Sequence, residues 1–427
     1  MAIFIKDILY LPMTGRGELH KGSIRIEGQR ITAMGDITPK WGDEIIYGQD
    51  KCALPGFVNC HTHGAMTMLR GYGEGLPLQQ WLNDVIRPAE ERLTGEDFYL
   101  GNLLAQLEML KGGTTCYADM YFDPESAIWA AETSGIRAVL GAGLVDYDGH
   151  GEHYLRDAVR LFHEHENDLE GRIHFMLAPH AVYSCSEAYL KQISQTAQEL
   201  HCPIHIHVAE TRKEQEECLQ LRGKRVIPYL EDTGILDLKV IAAHMIHLEE
   251  DEMKLAGERD LHAIHCPQSN MKLASGIFPY EKLKKHGVNI ALGTDGAASN
   301  NDLDMVEEMR TAMLLQKVAQ MNPSAVSAYD ALAMATINGA RALGLDGEIG
   351  TLEVGKKADI AIISLWHPHF YPRTEQNDIL SHLAYCAKAG DIHTVIVNGK
   401  VVVRDKKSLN IDEGKLYQQI QRRAKRL

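Results

Sequence analysis

Two kinds of hydrophobic pattern divide this chain. Near the N-terminus, "KGSIRIEGQRITAMG" (Lys21–Gly35) alternates apolar and polar residues. A period of two marks half-buried strands, and Glu27-Gly28 supplies a turn between them. The same pattern returns near the C-terminus in "ADIAIISL" (Ala358–Leu365) and "TVIVNGKVVVRD" (Thr394–Asp405), with Asn398-Gly399 as a hairpin signal. The two ends therefore predict one small β domain, a β-sandwich built from residues 1–55 and 350–427, with the middle inserted into it.

The middle, residues 56–349, has a different rhythm. Eight strand-like runs recur: "ALPGFVNCH", "TTCYADM", "IRAVLGAGLV", "RIHFMLAPH", "CPIHIHVAE", "KVIAAHMIH", "LHAIHCP" and "VNIALGTD". Helical stretches such as "GEDFYLGNLLAQLEMLKGG" and "SEAYLKQISQTAQEL" separate them. Repeated strand–helix units imply parallel pairing, and eight strands close a (β/α)8 TIM barrel. A doubly wound open sheet is the competing α/β fold. Polar residues fall at the C-terminal ends of many runs rather than at one switch point, which favours the barrel, where those ends share one mouth.

Composition narrows the function classes. The chain has 427 residues and a formal net charge of −14, so a phosphate-tracking surface is not expected and nucleic acid is a poor partner. Eight cysteines without a CxxC predict reduced thiols in a cytoplasmic protein. "MAIFIKDILYLPM" is broken by Lys6 and Asp7, unlike a signal peptide, and no apolar run approaches the ~20 residues of a membrane span. A soluble homo-oligomer, dimer or tetramer, is expected.

Candidate chemistry lies at the ends of the runs. With 21 histidines in the chain, the His61-Thr62-His63 spacing arises by chance about once. On one strand, however, both rings project to the same side. His207 closes "PIHIHVAE" and Asp295 follows "ALGT". Three imidazoles and a carboxylate suit one Zn2+, with Fe2+ as the alternative. His205 is expected to fill the barrel, and His265 to stand behind the site. Two proton carriers lie beside these candidates: Glu210, three residues past His207, and His244, ending its run. His247 is assigned to the turn that follows. His150-Gly151-Glu152 matches half of a nucleobase-deaminase signature, but no PCxxC completes it. HExxH, a Walker loop and a GxSxG elbow are absent. The fourth run lacks the lysine that a two-metal barrel site uses, so one metal is predicted.

Five stretches, "PGFVNCHTHGAMTMLRG", "HVAET", "AAHMIHL", "HCPQSNMKLASGIFP" and "LGTDGAASNNDLDM", resemble motifs of the amidohydrolase superfamily. They look most like its 5′-methylthioadenosine/S-adenosylhomocysteine deaminases, over essentially the whole chain. The resemblance implies His61, His63, His207 and Asp295 as metal ligands and Glu210 and His244 as catalytic partners, with Asp295 also accepting a proton. It implies Trp81 and Glu90, in "LQQWLNDVIRPAEE", and His180 as contacts to a nucleoside substrate. One departure stands out. Where the family holds a homocysteine carboxylate with arginines after the third strand, this chain has Ala142, and Arg156 is the only basic residue nearby. The missing charge favours methylthioadenosine, 5′-deoxyadenosine or adenosine over S-adenosylhomocysteine. The implied reaction is hydrolytic deamination at C6 of an adenine nucleoside. Hydrolysis of guanine, another purine or a substituted triazine is the alternative within enzymes, and a non-catalytic binding barrel the alternative outside them.

Overall fold

The computed structural model describes residues 2–374 and 378–426. The N-terminal segment forms β1 (Ile3–Tyr10), β2 (His20–Glu27), β3 (Arg30–Gly35), β4 (Glu44–Tyr47) and β5 (Lys51–Pro55). The middle contributes β6 (Phe57–Thr62), β7 (Thr114–Tyr121), β8 (Arg137–Leu144), β9 (Ile173–Phe175), β10 (Ala178–Pro179), β11 (Ile204–Val208), β12 (Val240–His244), β13 (Leu261–His265) and β14 (Asn289–Leu292). Past them come β15 (Ile360–Ser364), β16 (Ile392–Val397), β17 (Lys400–Arg404) and β18 (Lys407–Ser408).

Both termini join one nine-stranded sheet in the order β18-β17-β16-β15-β5-β1-β2-β3, with β4 also on β1. Alternating residues face a common core of Ile5, Ile24, Ile31, Ile360 and Ile396, all fully buried. The β16–β17 turn has φ of 51° at Asn398 and 76° at Gly399, the left-handed pair that an Asn-Gly hairpin uses. Gly399 has no room for a side chain, because a Cβ there would lie 2.0 Å from the carbonyl of Gly28 in the β2–β3 turn. The two predicted hairpins, 371 residues apart in sequence, thus touch at their tips.

The middle strands form two parallel arcs. One runs β10-β8-β7-β6, with β9 also on β8, and the other runs β11-β12-β13-β14. The strands are buried along nearly their whole length, as strands covered on both faces must be. Hydrogen bonds cross both seams. At one, the His205 amide donates to Leu177 O (2.9 Å) and the His207 amide to His180 O (3.1 Å). At the other, the Asp295 amide donates to His61 O (2.9 Å). Val58, Cys116, Val139, Ile241, Ile264 and Ala291, drawn from both arcs, share one interior cluster. The result is an α/β fold of TIM-barrel type.

Two predicted runs are divided. "ALPGFVNCH" is not one strand: β5 belongs to the terminal sheet and β6 to the barrel-type arc. They break at Gly56, where a Cβ would lie 2.1 Å from the side chain of Thr115. "RIHFMLAPH" splits into β9 and β10, with Pro179 unable to donate to a ladder. Between strands, Thr94 and Asp97 form a capping box for the helix Gly95–Lys111, and Ser186 caps Glu187–Leu200. Among the described residues no helix is long and apolar enough to cross a membrane.

Candidate active site

The C-terminal ends of β6, β11 and β12 and the segment after β14 bring His61, His63, His207, His244 and Asp295 together. The ring nitrogens of His61, His63 and His207 lie within 4.8 Å of one another, as do the donor atoms of His61, His244 and Asp295. Their orientations are fixed from behind. His63 Nδ1 lies 2.6 Å from Met120 O, and His207 Nδ1 lies 2.7 Å from His180 O. A carbonyl can only accept, so each Nδ1 carries a proton and leaves Nε2 as the nitrogen available to the cluster. His61 Nδ1 is 2.9 Å from His205 Nε2, while its own Nε2 is buried without a hydrogen-bond partner. His61 Nε2 and His63 Nε2 stand 3.5 and 3.3 Å from Asp295 Oδ1.

Electrostatics follow from burial and from these contacts. Burial pushes His61 down to about 4 and His207 well below the usual histidine range, so both rings are neutral. Burial also disfavours charge on His63, but the bond and charge of Asp295 carry it up to about 9. Burial opposes the Asp295 carboxylate as well, yet the rings of His61 and His63 hold its carboxyl well below the normal range. Oδ2 of Asp295 accepts from Ser269 Oγ at 2.6 Å. An orphaned buried Nε2, the Nε2 atoms of His63 and His207 and a carboxylate are a donor set that fits a divalent cation of borderline character, whose binding would release the proton His63 holds beside Asp295.

The chain is shaped to permit this. Ala209, His244 and Asp295 have φ of 50°, 74° and 62°, left-handed values at three strand ends beside the cluster. Such residues cost about 1–3 kcal/mol each, and they persist where the surroundings force them. Gly293 and Gly296 flank Asp295, and a Cβ on either would lie 2.7 Å from His61 Cβ or 2.8 Å from Met66 Sδ.

Beside the cluster, Glu210 is buried and its carboxyl is raised by burial, with His244 partly countering. Its Oε1 accepts from Ser275 Oγ at 2.9 Å, and its Oε2 is 3.8 Å from His244 Nε2. His244 Nδ1 is 2.9 Å from Asn270 Oδ1. These groups open into a pocket with a mouth to solvent. Trp81, Glu90 and His180 line the same pocket. Trp81 is 3% exposed, and its indole N–H donates to Tyr72 O at 3.1 Å. Tyr121 OH donates to Glu90 Oε1 at 2.7 Å, while burial raises the Glu90 carboxyl. His180 Nδ1 is 2.9 Å from Ser184 Oγ, and burial takes the ring down to about 3.

Eight of the nine singled-out residues thus line one chamber, and His61, fully buried, stands behind them in the cluster. His205 sits behind His61, within the strand layer, as expected of a barrel-filling side chain. His247 lies in the turn after β12, where its Nε2 is 2.7 Å from Ser275 O. His265 is stacked on Phe278 at 4.4 Å and is absent from the pocket wall. Arg156 is exposed and also off that wall. Sequence reasoning missed Ser269, Asn270 and Ser275, which hold Asp295, His244 and Glu210 in turn. All three come from "HCPQSNMKLASGIFP", where small polar residues in a buried apolar stretch were the available signal. It also missed Tyr121, Tyr183 and Arg87 on the pocket wall.

A parallel α/β fold of TIM-barrel type with a histidine–carboxylate cluster at its mouth defines a class of candidate metal-dependent enzymes. The amidohydrolase family model matches residues 52–402, and the chain belongs to that family. It is 43% identical to a 5-methylthioadenosine/S-adenosylhomocysteine deaminase of Thermoanaerobacter pseudethanolicus, over 100% of this chain and 99% of that protein. A protein of the same name from Desulforudis audaxviator is 45% identical, over 100% and 99%. Among solved structures, an adenosine deaminase from Xanthomonas campestris with bound zinc aligns at a TM-score of 0.94 and 33% identity, over 100% of this chain and 99% of that one. An atrazine chlorohydrolase from Arthrobacter aurescens, complexed with zinc, aligns at 0.92 over 99% and 100%. At 22% identity it supports the fold alone.

Proposed function

We propose that this protein deaminates adenine nucleosides hydrolytically at C6, releasing ammonia and the inosine-type product. The observation that carries the reading is the buried Glu210, held by Ser275 and facing His244, in one chamber with the histidine–carboxylate cluster and with Trp81 and Glu90. The deaminase names of the full-length relatives point the same way. His61, His63, His207 and Asp295 are the residues that would hold the cation, zinc by the precedent of the Xanthomonas structure. When bound, the cation supplies Lewis acidity that lowers the pKa of water.

The chain's own residues do the rest. Asp295 accepts a proton from the attacking water. Glu210, which burial favours in its protonated form, donates to N1 and makes C6 electrophilic. His244, with Nδ1 committed to Asn270, turns Nε2 toward the oxygen on which charge develops. Trp81 offers the nucleoside a flat apolar face. Glu90 accepts from the ribose hydroxyls, and His180 presents its free Nε2 to the substrate. The same reading takes the two arcs as a closed (β/α)8 barrel over 56–349. It takes 1–55 with 350–427 as the β-sandwich.

The test is ammonia release by the zinc-loaded protein from adenosine, methylthioadenosine, 5′-deoxyadenosine, S-adenosylhomocysteine and guanine. Release from the nucleosides, lost on chelation and absent with guanine, is expected. Release from guanine alone, or from none of the five, overturns the proposal.

A further inference from the structure

We propose that Arg87 determines specificity for a substrate whose 5′ substituent carries a carboxylate, the role that the loop after the third strand cannot fill itself. This rests on the deaminase reading above.

Ala142 itself lies within β8, and the loop that follows, residues 145–150, has no arginine. A guanidinium nevertheless reaches it from a different element. Arg87 lies on the helical segment that also carries Trp81 and Glu90. Its side chain crosses to the loop, where the guanidinium carbon sits 5.2 Å from the ring centroid of Tyr147. Tyr147 is 61% exposed and, like Arg87, lines the pocket. Among the described residues on the pocket wall, Arg87 is the only lysine or arginine.

The guanidinium is also free to bind. One donor, Nη1, is spent on Asn83 Oδ1 at 2.9 Å. Among the described residues no carboxylate stands within ion-pair distance, although Glu90, Glu210 and Asp295 face the same chamber. An arginine held over an aromatic ring, with its remaining donors unpaired with any carboxylate, is placed for a planar, bidentate acceptor. Glu90 is three residues on, one helical turn away. If Glu90 takes the ribose hydroxyls, a cation one turn along the same wall is placed for what extends from the ribose. The amino-acid end of S-adenosylhomocysteine has that chemistry, and methylthioadenosine lacks it. An anion site here runs against the preference for an uncharged 5′ group drawn from Ala142.

The experiment measures kcat/KM for S-adenosylhomocysteine, methylthioadenosine and adenosine 5′-phosphate in the zinc-loaded wild type, Arg87→Gln and Arg87→Lys. Arg87→Gln is expected to lower the ratio of S-adenosylhomocysteine to methylthioadenosine by roughly 10–100-fold, the worth of one charge-assisted pair. Arg87→Lys should fall between, keeping the charge and losing the fork. Added salt should lower the wild-type ratio and leave that of Arg87→Gln flat. A ratio unmoved by Arg87→Gln, or an Arg87 dependence confined to the 5′-phosphate, overturns the assignment while methylthioadenosine turnover keeps the deaminase reading intact. Silence with every nucleoside overturns the deaminase reading itself.

Discussion

The two ends of the strand layer handle buried charge in opposite ways. At the base, Arg137 opens β8 and is 2% exposed. Its Nε and Nη2 donate to Asp359 at 2.9 and 3.2 Å, and Nη1 donates to Gly171 O at 2.6 Å. Asp359 in turn accepts from the Asn398 amide at 2.7 Å, so the pair ties the middle of the chain to the terminal sheet. At the mouth, by contrast, His61 Nε2 is buried with no hydrogen-bond partner, and His63 Nε2 meets Asp295 Oδ1 only at 3.3 Å. Three strand-end residues there hold strained backbone. A fully satisfied buried ion pair anchors, whereas under-satisfied, strained groups are held ready for a ligand. In this fold stability is expected at the base and chemistry at the mouth.

Substitutions at each end should separate the two roles. The largest effect is expected from Glu210→Gln, which should lower kcat/KM by roughly 10²–10⁴-fold while leaving zinc content and melting temperature near wild type. Near-normal turnover would remove Glu210 from the chemistry.

Asp359→Ala should do the reverse. Leaving the Arg137 charge buried and unpaired is expected to cost about 3–5 kcal/mol in urea unfolding, with turnover per folded molecule retained. The double variant Arg137→Met/Asp359→Leu should recover much of that loss. A single variant as stable as wild type would mean that the base is not the anchor.

Ser275→Ala lies between the two. Losing the bond to Glu210 Oε1 should reduce kcat by roughly 10-fold and move the pH profile of kcat, with KM changing less. A change in stability without a change in the profile would make Ser275 a packing residue only.

The effect confined to pH dependence concerns Glu214, whose Oε2 accepts from the Glu210 amide at 2.8 Å and whose carboxyl burial raises to about 8. From about 4.5 to about 8 the folded state keeps a proton that the unfolded chain has released. Stability contributed by this group therefore falls as pH rises through that window, by at most about 1.4 kcal/mol per unit. Glu214→Gln should flatten that slope in melting curves taken across pH 5–8, and an unchanged slope would reassign it to other groups.

The sequence was most informative where a property is local. Period-two alternation and the Asn398-Gly399 turn placed the terminal strands, and a polar residue ending an apolar run marked His61, His63, His207, His244 and Asp295. Where a contact joins distant segments, the one-dimensional pattern carried less. Gly56 divides "ALPGFVNCH" because Thr115, on the neighbouring strand, leaves no room for a side chain. Ser269, Asn270 and Ser275 gain their roles only when their segment folds beneath three separate strand ends. Arg87 gave no signal in the one-dimensional pattern, where Ala142 marked a missing anion site. Which loop a long side chain reaches depends on the packing of both elements.

Composition, alternation and spacing determined the repeated strand–helix plan and the residue types at each strand end, since side-chain direction along a strand is fixed by its own backbone. Only the tertiary structure decided which nitrogens face the cluster, which carboxyl keeps its proton and where the Arg87 guanidinium stands. Those outcomes depend on desolvation and on hydrogen-bond partners supplied from far along the chain.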